Sequence, residues 1–210
     1  MDNKLKGKDL ITIGIYTAIY FVINFAFMVA GIIPIMWILM PALIALFTGI
    51  PYMMICNKVK KPGAILIMGT ITVLIYYATG QFTVVILETF TIGCILAEII
   101  RKVTNYKSFL GNTLSFALFS IGMIGSPLPI WLFKESFFAH IAEVGMSQDY
   151  INTLETFTSP VVLIGVFVLT LICAVLGSLF ARRITRKHFK IAKDIAIKLG
   201  NFGKTKNSIP

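Results

Sequence analysis

Charge is what this sequence has least of. Asp, Glu, Lys and Arg make up 13% of its 210 residues, hydrophobic residues make up 57%, and the mean hydropathy is +0.87. That excludes a soluble globular domain, in which about a quarter of residues are charged. Cysteine is also scarce. Cys56, Cys94 and Cys173 stand alone without a CxxC spacing, so neither a disulfide framework nor a zinc site is expected, and the three read as packing residues. Several chemical signatures are missing as well. There is no GxxxxGK[ST], so the chain cannot energise transport with its own P-loop. No HExxH, GxSxG or pair of intramembrane aspartates occurs, so an enzyme is not expected, and no cofactor or metal is implied.

What the chain does have is apolar runs. A helix needs roughly 20 apolar residues to cross the hydrocarbon. Six runs meet that length: Leu10 to Ala30, Ile33 to Cys56, Pro62 to Thr79, Phe82 to Ile100, Phe109 to Phe133 and Pro160 to Phe180. The first follows Lys4, Lys6 and Lys8 as a signal peptide would, but it exceeds a usual h-region and lacks an A-x-A site, so it reads as a retained span. Of the 19 Lys and Arg, all but Lys134 fall before span one, after span two, after span four or after span six. By the positive-inside rule these connections and both termini are cytoplasmic, which requires an even number of spans. The net charge of +10 is therefore a matter of topology, and no nucleic acid is expected.

The expected fold is an all-α membrane protein with six transmembrane helices in one domain over 1–181. A partly helical extracytoplasmic loop over 128–159 joins helices five and six. A basic amphipathic tail over 182–210 follows, its stripe of Ile184, Ile191, Ile195 and Leu199 suited to lying on anionic lipid. Gly122 to Ser159 is the only long polar interruption and holds Lys134, Glu135, His140, Glu143, Asp149 and Glu155. Facing away from the basic connections, it is placed to act as a lid over a ligand taken from outside. Ser147 reads as an N-cap followed by acid, and Ser159 with Pro160 as Ncap and N1 of span six.

Polar residues within spans are costly and mark contacts or sites. Asn24, near the outer end of span one, lines either a helix contact or a cavity. Thr72, Tyr76 and Thr79 recur at helical spacing, as pocket lining or, for Tyr76, an interfacial anchor. Trp37 fits an aromatic belt. Gln81, Glu88 and Thr91 are expected to share one face of span four. Glu88, about 10 Å along the axis from Gln81, reads as a ligand or ion group or as a structural hydrogen-bonding group. Glu98, with Arg101 and Lys102 at i+3 and i+4, reads as a surface ion pair. Pro34, Pro41 and Pro51 predict a bent or broken span two, and Ser126 to Pro129 a break in span five before Trp131. Two small-residue faces appear: Gly14 and Ala18 on span one, and Ala174, Gly177, Ser178 and Ala181 on span six. His140 and His188 fall on opposite sides and cannot form one site.

The opening GKDLITIGIYTAIYFVINF, the run IPIMWILMPALIAL, the segment KKPGAILIMGTIT and above all SIGMIGSPLPIWLFKESFFAH resemble the Trep_Strep group of bacterial integral membrane proteins. That group is regarded as substrate-binding S components of energy-coupling factor (ECF) transporters. The resemblance implies a six-helix S component in the bacterial cell membrane that captures a vitamin-like micronutrient outside. It also implies partners: a transmembrane T component and two ABC-type ATPases. In the family a small-xxx-small motif in the first helix contacts the T component, and Gly14 and Ala18 occupy that pattern, with Gly for the usual first Ala. Substrate sites lie at the outer ends of helices and their loops, which makes Asn24, Gln81, Glu88, Thr91, Trp131, Lys134 and His140 the candidate substrate-binding residues. Lys134 and His140 would meet an anionic ligand group, Glu88 and Asn24 would be deeper acceptors. The alternative is an autonomous proton-coupled secondary transporter in which Glu88 exchanges the proton. The lack of an internal repeat between spans one to three and four to six weighs somewhat against it.

Overall fold

The computed structural model describes residues 4–81 and 83–206, with side chains described to residue 185. Among the described residues the chain forms nine α-helices, one 3-10 helix and no strand. The helices are α1 (Gly7–Ala30), α2 (Pro34–Lys58), α3 (Ala64–Ala78), α4 (Val84–Val103) and α5 (Phe109–Ser120), which runs into the 3-10 helix Ile121–Gly125. Then come α6 (Pro129–Leu132), α7 (Lys134–Glu143), α8 (Gln148–Glu155) and α9 (Pro160–Lys206). Three are long and apolar enough to cross a membrane: α1, α2 and the Pro160–Thr185 part of α9. The helices Ala64–Ala78 and Phe109–Gly125 are apolar but shorter.

Local chemistry sets the helix starts. The carboxylate of Asp9 accepts the Lys6 backbone N–H at 2.9 Å and closes the first turn of α1. Thr83, Ser108 and Ser147 each accept an N–H from the first turn of the helix they precede, leaving fewer orphan donors. Pro34 occupies the first turn of α2, where its missing donor costs nothing. Of the two expectations for α2, bent or broken, the break does not occur: the helix continues through Pro41 and Pro51, and each is buried in the bundle. Span five breaks earlier than expected. Helix α5 stops at Ser120 because Gly122 and Gly125 bring the following 3-10 turn against α4, where the Thr89 hydroxyl donates to the Gly122 carbonyl at 2.9 Å. A β-carbon on Gly122 would lie 3.0 Å from the Phe90 ring.

Helix α2 is the centre of the bundle. Its apolar window is 67% buried, against 22% in α1 and 28% in α9, so the flanking helices keep wide apolar faces outward. The most extensive helix pair is α2 with α9. There Gly49 and Gly177 meet backbone to backbone, a β-carbon on Gly49 falling 2.6 Å from the Gly177 carbonyl oxygen. Ala174, Gly177, Ser178 and Ala181 are all buried in this seam, so the second small-residue face serves internal packing. Deeper in, the Tyr52 and Ser115 hydroxyls lie 2.6 Å apart and Ser115 donates to the Ala97 carbonyl, joining α2, α5 and α4.

The basic end of the bundle is tied by buried polar groups. Lys61 bridges Asp9 at 2.7 Å, fixing the α2–α3 connection to the start of α1. Arg101 and Glu98 are not a surface pair. Arg101 is fully buried, donates to the Val59 carbonyl at 2.8 Å and lies 3.8 Å from Glu98. Glu98 in turn accepts the Gly63 and Ile65 backbone N–H groups. The i+3 spacing is as read, but the α2–α3 loop folds over the pair and removes it from water. Helix α9 runs on through Lys206, and the side chains of Ile191, Ile195 and Leu199 in the expected lipid-facing stripe lie outside the described residues.

Candidate functional site

The opposite end of the bundle is closed by α6, α7 and α8. Their apolar residues Ile130, Phe138, Ile151 and Leu154 pack with Ile38 of α2 and Val166 of α9 in a cluster separate from the main core. Polar ties hold this cap at its edges. The Tyr150 hydroxyl donates to the Gly31 carbonyl in the α1–α2 turn at 2.9 Å, and the Trp131 indole N–H donates to the Ser159 carbonyl at 3.1 Å. Burial raises the Tyr150 phenol above its ordinary value of 10, so it remains a donor at neutral pH. At the centre, Phe137 of the cap stacks on Trp37 of α2, with ring centroids 5.6 Å apart and an interplanar angle of 19°.

Beneath that stack lies a small inner cavity of about 60 Å³, bounded by Met28, Trp37, Met40, Tyr76, Gln81, Ile86, Phe90, Gly122, Met123 and Ser126. Above it, an outer vestibule of about 390 Å³ runs from Thr83 to Pro129, Phe133, Ser136, Phe137 and His140. Trp37, Gln81, Ile86 and Ser126 line both spaces and form the neck between them. The inner wall is held from behind. Tyr76 donates its hydroxyl to the Asn24 side-chain carbonyl at 2.9 Å, while the Asn24 amide donates to the Tyr20 carbonyl at 2.8 Å. Edge-to-face contacts of Tyr20 with Phe119 and of Phe119 with Phe90 continue that support.

The candidate residues fall into distinct places. Gln81 lines both spaces and His140 the vestibule. Asn24 is fully buried behind Tyr76: of its two readings, the structure gives the helix contact. Trp131 fastens the cap to the start of α9. Lys134 is exposed at the start of α7 and lines neither space. Glu88 and Thr91 do not join Gln81 in one constellation. Gln81 precedes the first turn of α4, whereas Glu88 and Thr91 are exposed on the helix's outer face, Thr91 beside an apolar groove between α3 and α4. Among the described residues no group of His, Cys, Asp or Glu is placed to hold a metal ion.

Sequence reasoning passed over Met28, Met40, Met123 and Phe90, and read Trp37 as a belt residue. A Met or Phe within an apolar run carries no mark that separates a cavity wall from a core or a lipid face. On α1, Gly14 and Ala18 point away from the bundle. Ala18 is exposed, and a β-carbon on Gly14 would meet nothing within 4 Å.

A family model described as hypothetical bacterial integral membrane protein (Trep_Strep) matches residues 7–190, most of the chain. The chain belongs to the Trep_Strep family. No curated protein and no solved structure matches it. For a Trep_Strep protein, integral to a bacterial membrane, the outward apolar residues of α1 and α9, among them Ile11, Val22, Val161 and Ile164, are the surface that meets lipid.

Proposed function

We propose that this Trep_Strep protein is the substrate-binding S component of an ECF-type transporter. Helices α1 to α4, the broken α5 segment and α9 make six membrane crossings. Both termini and the basic connections are cytoplasmic, and the cap of α6 to α8 lies outside. A small vitamin-like molecule enters beneath the cap and occupies the neck between vestibule and inner cavity. A transmembrane T component and two ABC-type ATPases then drive its uptake.

The observation that carries this reading is the pairing of a capped cavity with an uncovered small-residue face. The cavity lies at one end of the bundle, opposite the lysine-rich end. Gly14 and Ala18 form a face that no other element covers among the described residues, suited to close approach by a partner helix. The proton-coupled alternative has less to rest on, because Glu88 faces out from α4 and lines neither space.

The test is affinity purification of the tagged protein from its native membrane, as the intact chain and as the Gly14→Leu, Ala18→Leu double variant. A T component and two ATPases should accompany the intact chain and be lost from a folded double variant. Absence of any ATPase, together with proton-driven uptake by the reconstituted chain alone, would overturn the proposal.

A further inference from the structure

The chemistry of the neck narrows the substrate class. Among the described residues no Asp, Glu, Lys, Arg or His lines the inner cavity, and His140 is the sole ionisable group along the vestibule. A charged ligand group seated in the inner cavity would give up part of its hydration without meeting a counter-charge there, which disfavours it. The walls are instead flat and polarisable: the indole of Trp37, the ring of Phe90 and the thioethers of Met28, Met40 and Met123. Thioether sulfur makes favourable contacts with aromatic rings, and unbranched Met side chains adapt to the shape placed between them.

Besides the Tyr76 hydroxyl and the Trp37 indole N–H, two polar side chains line this wall, Gln81 and Ser126, both at the neck. Within the described residues neither the Gln81 amide nor the Ser126 hydroxyl has a hydrogen-bond partner, whereas the Tyr76 hydroxyl is already engaged by Asn24. A Gln amide presents a donor and an acceptor side by side, the pattern that matches an adjacent acceptor and donor on a heterocycle edge. Ser126 adds a third position. The inner cavity, about 60 Å³, opens at the neck onto the vestibule of about 390 Å³, so a ligand at the neck would lie across both spaces. The Trp37–Phe137 stack supplies the seat: when the cap lifts, a flat ring takes the place of Phe137 against Trp37.

We infer that the ligand is an uncharged, flat heteroaromatic molecule with an adjacent donor and acceptor on one edge, stacked on Trp37 in place of Phe137 and read by Gln81 and Ser126. This rests on the reading of the capped cavity as the ligand site. It replaces the expectation of an anionic group held by Lys134 and His140.

Matched probes test it on the full-length chain purified in detergent. Nicotinamide is compared with nicotinate, and uracil with orotate, each pair sharing a ring and differing by a carboxylate; adenine is added as a larger neutral ring. Binding is read from quenching of tryptophan emission, with Trp37→Phe as the control, and independently from the shift in melting temperature. Neutral probes should quench saturably and raise the melting temperature. Their acids should bind at least tenfold more weakly, and Gln81→Leu and Ser126→Ala should each weaken the neutral probes severalfold. If an acid binds as tightly as its neutral partner, or none of the three neutral probes binds by either readout, the inference fails. Its failure is separable from that of the S-component reading. Co-purifying ATPases with reversed probe preference would overturn the substrate class alone, and neutral-probe binding by a chain that brings down no ATPase and takes up solute with a proton gradient alone would overturn the S-component assignment alone.

Discussion

Replacing Gly177 by Ala adds one methyl group at the tightest point of the bundle. The new β-carbon would lie 2.6 Å from both the Ala45 and the Leu46 carbonyl oxygens, whereas ordinary contact begins at 3.4 Å. Both neighbours are backbone of α2, so no side chain can swing aside, and the helices must part by about 0.8 Å. A gap of that size forfeits roughly a quarter to a half of the dispersion energy of each contact it opens. Overpacking of this kind costs about 1–3 kcal/mol, against which the gain in helix propensity from Gly to Ala returns at most about 1 kcal/mol. Gly14→Ala is the control, since the added methyl meets nothing within 4 Å and only the propensity gain remains. Thermal denaturation in detergent, scored by retention of the monodisperse species, should therefore rank Gly14→Ala at or above the parent and Gly177→Ala clearly below it. Gly49→Ala opens the same seam, so the Gly49→Ala, Gly177→Ala double variant should lose less than the sum of the single losses. Equal melting of Gly177→Ala and the parent, or equal losses for Gly14→Ala and Gly177→Ala, would refute the backbone-contact argument.

Two further predictions concern the two ends of the bundle. Arg101→Leu removes the donor to the Val59 carbonyl and the cation beside Glu98, and should cost about 3 kcal/mol; adding Glu98→Gln should restore part of the loss in the same melting assay, and no recovery would mean the two residues act independently. Tyr150→Phe should cost about 1 kcal/mol of cap closure and increase quenching of Trp37 by acrylamide. Because burial raises this phenol, its contribution is complete below the ordinary value of 10 and is lost as pH climbs through the raised value. The parent cap should therefore loosen only in strong alkali, in a step that Tyr150→Phe lacks.

What the sequence reveals here depends on contrast between residue types. Helix starts were legible at Ser147 and at Ser159 with Pro160, because a hydroxyl or a proline at a helix start has a local physical role that needs no knowledge of neighbours. The helical content of the outer segment was legible for the same reason. Which way each helix faces was not. In a bundle surrounded by lipid the core side and the outer side are both apolar, so periodicity loses the polar stripe that orients a helix in water. That is why Glu88 was read as facing a site when it faces outward. Arg101, read as a surface cation, is sealed over by a loop whose path depends on Gly63 at a φ of +88°. The pairing of Asn24 with Tyr76, 52 positions apart in the chain, could not be found from either residue alone.

The seam between Gly49 and Gly177 also has a consequence for how the molecule is made. Its two glycines are separated by most of the chain, and translation adds about 5–20 residues per second. Helix α2 is therefore complete on the order of ten seconds before α9 exists. Throughout that interval the groove at Gly49, shaped for direct backbone contact, has no resident. Whatever shields it during insertion, whether lipid, an insertion factor or α1, must leave when α9 arrives. Helix α9 is thus the one that locks the central helix, and this seam acquires its final packing only once α9 has emerged.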